Sequence, residues 1–149
     1  MWEPQRAALA DHDVSAPRLY GRGPTMAERR AGRADTIELI RNEGPEALWR
    51  SMVPKLFADE SRADEELLFR DPDGLVGALE AIRDREDSTD VARSFAGALQ
   101  FVVGGSDPFV SAVELAEFDV IEIAGAGHLV NVERPEEFNS ILRDFLDRV

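Results

Sequence analysis

Phe101-Val-Val-Gly-Gly-Ser-Asp-Pro-Phe109 is a short apolar run that enters a glycine turn and presents one carboxylate, Asp107. It is answered downstream by Ile121-Glu-Ile-Ala-Gly-Ala-Gly-His128, an apolar run of the same design that presents one imidazole, His128. Both read as strands, and the segment between them is long enough for a crossover, so a parallel pair is expected. In open parallel sheets, ligand and catalytic groups gather where strands end and loops begin. An Asp and a His delivered this way have the chemistry of the two supporting members of a nucleophile–His–acid triad. With the acid before the His, the nucleophile is expected upstream.

Around this pair, the first strand covers Leu99–Val103 and the second Phe118–Ile123. Ser111-Ala-Val-Glu114 fits the S-x-x-E capping box and predicts a short helix directly after the Asp107 loop. The last helix is expected from Pro135. Phe138, Ile141, Leu142, Phe145, Leu146 and Val149 form its apolar stripe at helical spacing, and Glu136 and Glu137 sit in its first turn, where the dipole favours anions.

Upstream, helices dominate to about residue 86. Asp35–Glu43 stops at Gly44, and Pro45 opens a second helix with Leu48, Trp49, Met52, Val53 and Leu56 on one face and Pro54 as a kink or end. Glu65–Phe69 is a further helical turn. Asp71-Pro-Asp-Gly74 opens another helix, lined by Leu75, Val76, Leu79 and Ile82, and Arg83–Asp90 is a charged linker. Residues 25–33 are polar and basic, a frayed helix or a loop. Residues 2–10 read as a helix and Val14–Tyr20 as an edge strand limited by Pro17, with a break at Gly21–Pro24. Asp11-His12-Asp13 holds metal-competent groups, but all in one turn, which reads as a solvated surface turn.

The chain has 149 residues, enough for one domain that buries about two-thirds of its unfolded surface. Its formal net charge of −13 argues against nucleic acid and anionic membrane surfaces, and leaves small neutral or apolar molecules or protein partners open. The absence of cysteine excludes disulfides and thiolate chemistry. The apolar runs are too short to span a bilayer, and the opening Met-Trp-Glu-Pro-Gln-Arg has no apolar signal core, so a cytoplasmic protein is the expectation. No cofactor or metal motif is present.

Val102-Val-Gly-Gly-Ser-Asp-Pro-Phe109, Gly125-Ala-Gly-His-Leu129 and Glu133-Arg-Pro-Glu-Glu-Phe138 together resemble the C-terminal third of α/β-hydrolase-fold proteins. Trp2, Gln5, Leu9 and Val14–Gly23 resemble the same family's early helix and the strand leading to its G-x-G loop, though that loop usually carries an Asp where Arg18 stands. The resemblance implies an α/β fold: a small, mainly parallel sheet with flanking helices in one domain over 1–149. Residues 34–86 would be a cap-like helical block, and 99–149 would carry the Asp and His. It implies Asp107 as triad acid and His128 as triad base, with Glu133-x-Pro-Glu leading into the final helix.

Two features depart from that pattern. No Gly-x-Ser-x-Gly is present, and none of Ser15, Ser51, Ser61, Ser88, Ser94, Ser106, Ser111 and Ser140 has a strand–elbow–helix context. The elbow strand, its helix and the next strand, roughly 30 residues or more, have no counterpart. The Asp107–His128 interval is also short, so the intervening helix must be clipped. Without the central strands, Leu99–Val103 becomes an exposed edge, which predicts a homo-oligomer, domain-swapped or otherwise rearranged.

Three functions follow. The first is hydrolysis of a small carboxylic ester, with His128 as general base, Asp107 orienting it, and a serine nucleophile that the chain does not identify. Ser106, beside Asp107, is the weak candidate and reads better as a turn cap. The second is a catalytically inactive, truncated relative acting as an interaction or oligomerisation module. The third is proton abstraction by the His–Asp pair without a covalent serine.

Overall fold

The computed structural model describes residues 26–64, 71–83 and 89–149. The helix and strand expected at 2–10 and 14–20, the Asp11–Asp13 turn, the Gly21–Pro24 break, the turn at 65–69, and Ser15 and Ser88 all lie outside the described residues.

Three helices form the first layer: α1 (Met26–Glu43), α2 (Pro45–Leu56) and α3 (Pro72–Arg83). α1 starts well before Asp35, so the basic stretch expected as frayed helix or loop is helical from Met26 onward. Extending an anchored helix adds one hydrogen bond per residue fixed, and apolar periodicity is not needed for that. α1 ends at Gly44, whose φ of 84° suits a residue without Cβ. Pro45 then starts α2 at once. Pro54 marks the approaching end of this helix. It sits in the last turn, and the chain turns extended at Phe57, whose N–H still reaches the Val53 carbonyl at 3.1 Å. α3 opens on Asp71, whose carboxylate accepts from the Asp73 N–H at 3.2 Å. Ile37, Ile40 and Val76 form the buried centre of this block, with Leu48, Leu75 and Leu79 against it.

A short helix, α4 (Thr89–Ser94), occupies part of the stretch expected as linker. Then β1 (Gln100–Gly104) and β2 (Asp119–Ile123) pair in parallel, with Gln100 opposite Asp119 and Gly104 opposite Ile123. The capping box at Ser111 forms as expected. The Ser111 N–H donates to Glu114 Oε2 at 2.8 Å, and the Glu114 N–H to Ser111 Oγ at 3.3 Å. The helix it was expected to open does not form. Residues 112–118 run as tight turns, with the N–H groups of Glu114, Leu115, Ala116 and Phe118 each donating to the carbonyl three residues back. The crossover, residues 105–118, is near the minimum length for a parallel connection, and the Asp107 turn and the capping box take up its first part.

After β2 come a single helical turn, α5 (Val130–Glu133), and the final helix, α6 (Pro135–Leu146). Phe138 and Ile141 on α6 pack with Val102 against Ile123, Ala126 and Val130, a second core separate from that of the helical block. Val149, counted on the apolar stripe, lies beyond the helix end and is 67% exposed. No helix among the described residues is long and apolar enough to cross a membrane.

Candidate active site

β1 and β2 end level with one another, because Gly104 pairs with Ile123. The loops that follow therefore start side by side. Asp107 lies three residues beyond the first strand end and His128 five beyond the second. Backbone bonds tie the loops together: the Gly105 N–H donates to the Ile123 carbonyl and the Ser106 N–H to the Ala126 carbonyl, each at 2.9 Å. The approach is close enough to exclude a side chain. A Cβ on Gly104 would lie 2.2 Å from the Gly127 carbonyl oxygen and 2.3 Å from that of Ala126.

This places Asp107 Oδ2 2.9 Å from His128 Nδ1. The other carboxylate oxygen accepts from the Phe109 N–H at 2.7 Å and the Val110 N–H at 3.3 Å. The Asp107 side chain is 4% exposed and that of His128 34%. Burial acts to raise the Asp107 pKa, but the hydrogen bond from His128, the two backbone donors and the imidazole charge outweigh it, and the net shift is downward from 3.8. Asp107 is thus ionised at neutral pH and can only accept, so Nδ1 carries the proton on this bond. In the neutral ring, Nε2 then holds the lone pair. His128 has no further hydrogen bond among the described residues. The Phe109 ring stands edge-on to the imidazole, centroids 5.0 Å apart, and walls one side of it.

The structure thus brings Asp107 and His128 together. It does not add Ser106 to them. The Ser106 hydroxyl is exposed and makes no hydrogen bond among the described residues. Nor does that hydroxyl cap the turn, as its sequence position suggested; the turn is held by the Asp107 carboxylate and by backbone bonds. Ser51, Ser61 and Ser94 bond within their own helical turns, and Ser111 is taken by the capping box.

Sequence reasoning passed over Glu133, which was read only as the lead-in to the last helix. Its side chain is buried beneath the His128 loop, where it accepts from the Gly127 and Asp59 N–H groups. Its one signal was a lone carboxylate closing the mostly apolar run Leu129-Val-Asn-Val-Glu133. Gly127 is equally confined, since a Cβ there would come within 2.7 Å of the Ala58 nitrogen.

With this geometry, the sequence model of the alpha/beta hydrolase family matches residues 6–141. The chain belongs to that family. No curated protein sequence matches it. Among solved structures it is similar to a thermophilic esterase from Thermogutta terrifontis, in a malate-bound form, at 25% identity and a TM-score of 0.72 over 88% of this chain. The match takes in 53% of the esterase, so the chain spans about half that enzyme's length. The fold expected from the sequence, a partial α/β-hydrolase fold with a small parallel sheet and flanking helices, agrees with both comparisons and with the two-stranded sheet among the described residues.

Proposed function

We propose that this chain hydrolyses small carboxylic esters, with His128 as general base and Asp107 as the group that orients it. The observation that carries this reading is the 2.9 Å bond from His128 Nδ1 to a buried, ionised Asp107, which leaves Nε2 as an accessible base. Nε2 takes the proton of an attacking hydroxyl. Asp107 stabilises the imidazolium that forms, and the same proton then goes to the departing alkoxide. The similarity to an esterase supports the substrate class. The attacking group is a serine or a water. The Ser106 hydroxyl is not bonded to His128, and the chain as read assigns the role to no other serine.

A second reading is an inactive relative that serves as an interaction or oligomerisation module. The specific observations in its favour are the half-length match and the exposed apolar side chains of Val91, Phe95 and Val113, 67%, 57% and 86% exposed. Labelling with a fluorophosphonate probe, read by intact mass and peptide mapping, separates the readings, alongside turnover of a short activated ester. Catalysis predicts turnover that falls by about 100-fold or more in His128→Ala, the usual range for a general base. A single labelled serine would identify the nucleophile, and turnover without labelling would indicate water. Neither turnover nor label would sink the hydrolase reading.

A further inference from the structure

His128 is held by its neighbours on both sides, and both holds lead to the same place. The N–H before it, of Gly127, donates to Glu133 Oε2. The N–H after it, of Leu129, donates to the Leu56 carbonyl at 3.0 Å. The other Glu133 oxygen accepts from the Asp59 N–H at 2.9 Å. Leu56 ends α2 and Asp59 follows it, so the loop carrying His128 is fastened to the end of the helical block. Glu133 is 1% exposed and makes no ion pair among the described residues. A buried carboxylate with only backbone donors is held by them alone, and losing the oxygen that faces Gly127 leaves a buried N–H unsatisfied, while losing the other frees the part-buried Asp59 N–H. The close passage of Gly127 over Leu56, Phe57 and Ala58 leaves the loop no slack to absorb such a loss.

We infer that Glu133 is a positioning residue for His128, clamping the Gly127 and Asp59 amides so that the imidazole stays in register with Asp107. The inference rests on the proposed base role of His128. In Glu133→Gln one oxygen becomes an NH2 group and faces a backbone N–H, so the loop must shift while side-chain volume is kept. A shift of this kind moves the ring relative to Asp107 without touching substrate.

The test is NMR of the His128 ring N–H together with ester kinetics, in the full chain and in Glu133→Gln, with and without Asp107→Asn. The ring proton should exchange at least about tenfold faster in Glu133→Gln. kcat should fall by about ten- to a hundredfold, with KM within about twofold. The loss should shrink in the Asp107→Asn background, because there is no longer a register to keep. A folded Glu133→Gln protein with unchanged ring-proton exchange, or a kcat loss of equal size in both backgrounds, overturns the clamp. The proton measurement needs no turnover. A chain without esterase activity but with the faster exchange would therefore sink the proposed function and keep the clamp. If Glu133→Gln does not fold, exchange in the unmodified chain decides. The Asp59 and Gly127 amides should open together with the His128 ring N–H, and rates differing by more than about tenfold would overturn the inference.

Discussion

The helical block and the strand–loop tail bury different kinds of atom. In the block, Ile37, Ile40 and Val76 meet Leu48, Leu75 and Leu79, and the centre is apolar throughout. Its polar contacts lie outside, as in the exposed Arg41–Glu80 pair at 3.4 Å, which contributes little to stability. In the tail, the apolar centre of Ile123, Ala126 and Val130 lies close to Asn131, Glu133 and the nearly buried Asp107. The glycines follow the same division. A Cβ on Gly32 or Gly77 of the block would meet nothing within 4 Å, whereas on Gly104 or Gly127 it would strike backbone. Packing in the block depends on apolar area, which many side chains can supply. Packing in the tail depends on fixed distances between backbone segments, and those distances bring Asp107 to His128.

The hardest test of this contrast is Gly104→Ala. The new methyl would lie 2.2 Å and 2.3 Å from two carbonyl oxygens, and since both belong to backbone, no rotamer change relieves the clash. Overpacking of this sort costs about 3 kcal/mol, the upper end of its usual range. The strand end and the His128 loop must also part, so ester turnover should be lost even in the fraction that stays folded. Urea denaturation and turnover measured on the same preparation check both effects. A Gly104→Ala protein of normal stability and activity would end the claim that the tail is fixed by backbone approach.

Asp107→Asn is the next largest and adds a pH signature. The native Asp107 pKa lies below its ordinary 3.8, so in acid the unfolded chain binds the proton more readily than the folded one. Stability from this carboxylate is therefore complete above the unfolded value and is lost as pH falls through the native value. Asp107→Asn should cost about 2 kcal/mol at neutral pH, the scale of a charged hydrogen bond. The gap to the unmodified chain should hold down to about pH 5 and close only below about pH 4. Urea denaturation at several pH values measures it. A gap that closed between pH 7 and pH 5 would assign the stabilisation to some group other than this carboxylate.

What the sequence disclosed also follows this division. The two strands, their glycine turns and the pair Asp107 and His128 were legible because each rests on a few adjacent residues. So were the start of α3 at Asp71-Pro-Asp and of α6 at Pro135, where proline and acidic residues mark a first turn. Glu133 was not legible, because glutamate is normally exposed and its partner Asp59 is 74 residues away. The close approach of Gly104 to Gly127 was hidden for the same reason, since a glycine turn and a glycine contact look alike in a sequence. The missing crossover helix shows the reverse limit. The capping box was read correctly, but the residues after it close as successive three-residue turns and then enter β2. A local signal fixed the first turn without fixing what followed.

Gly77→Ala carries the smallest expected effect and tests the other side of the comparison. Gly77 is exposed in the interior of α3, with no atom within 4 Å of where a methyl would go. Nothing about this position requires a missing Cβ, because its φ is not positive. Glycine there costs the helix conformational entropy without any packing in return. Alanine should stabilise the chain by about 1 kcal/mol, seen as a melting temperature raised by roughly 2–4 °C for a protein of this size. Ester turnover should not change, since the substitution lies in the block and touches neither Leu56 nor Asp59, the two points where the block holds the His128 loop. A stabilised protein with altered turnover would mean that rigidity within the helices reaches the imidazole. The block would then be part of the catalytic machinery as well as its support.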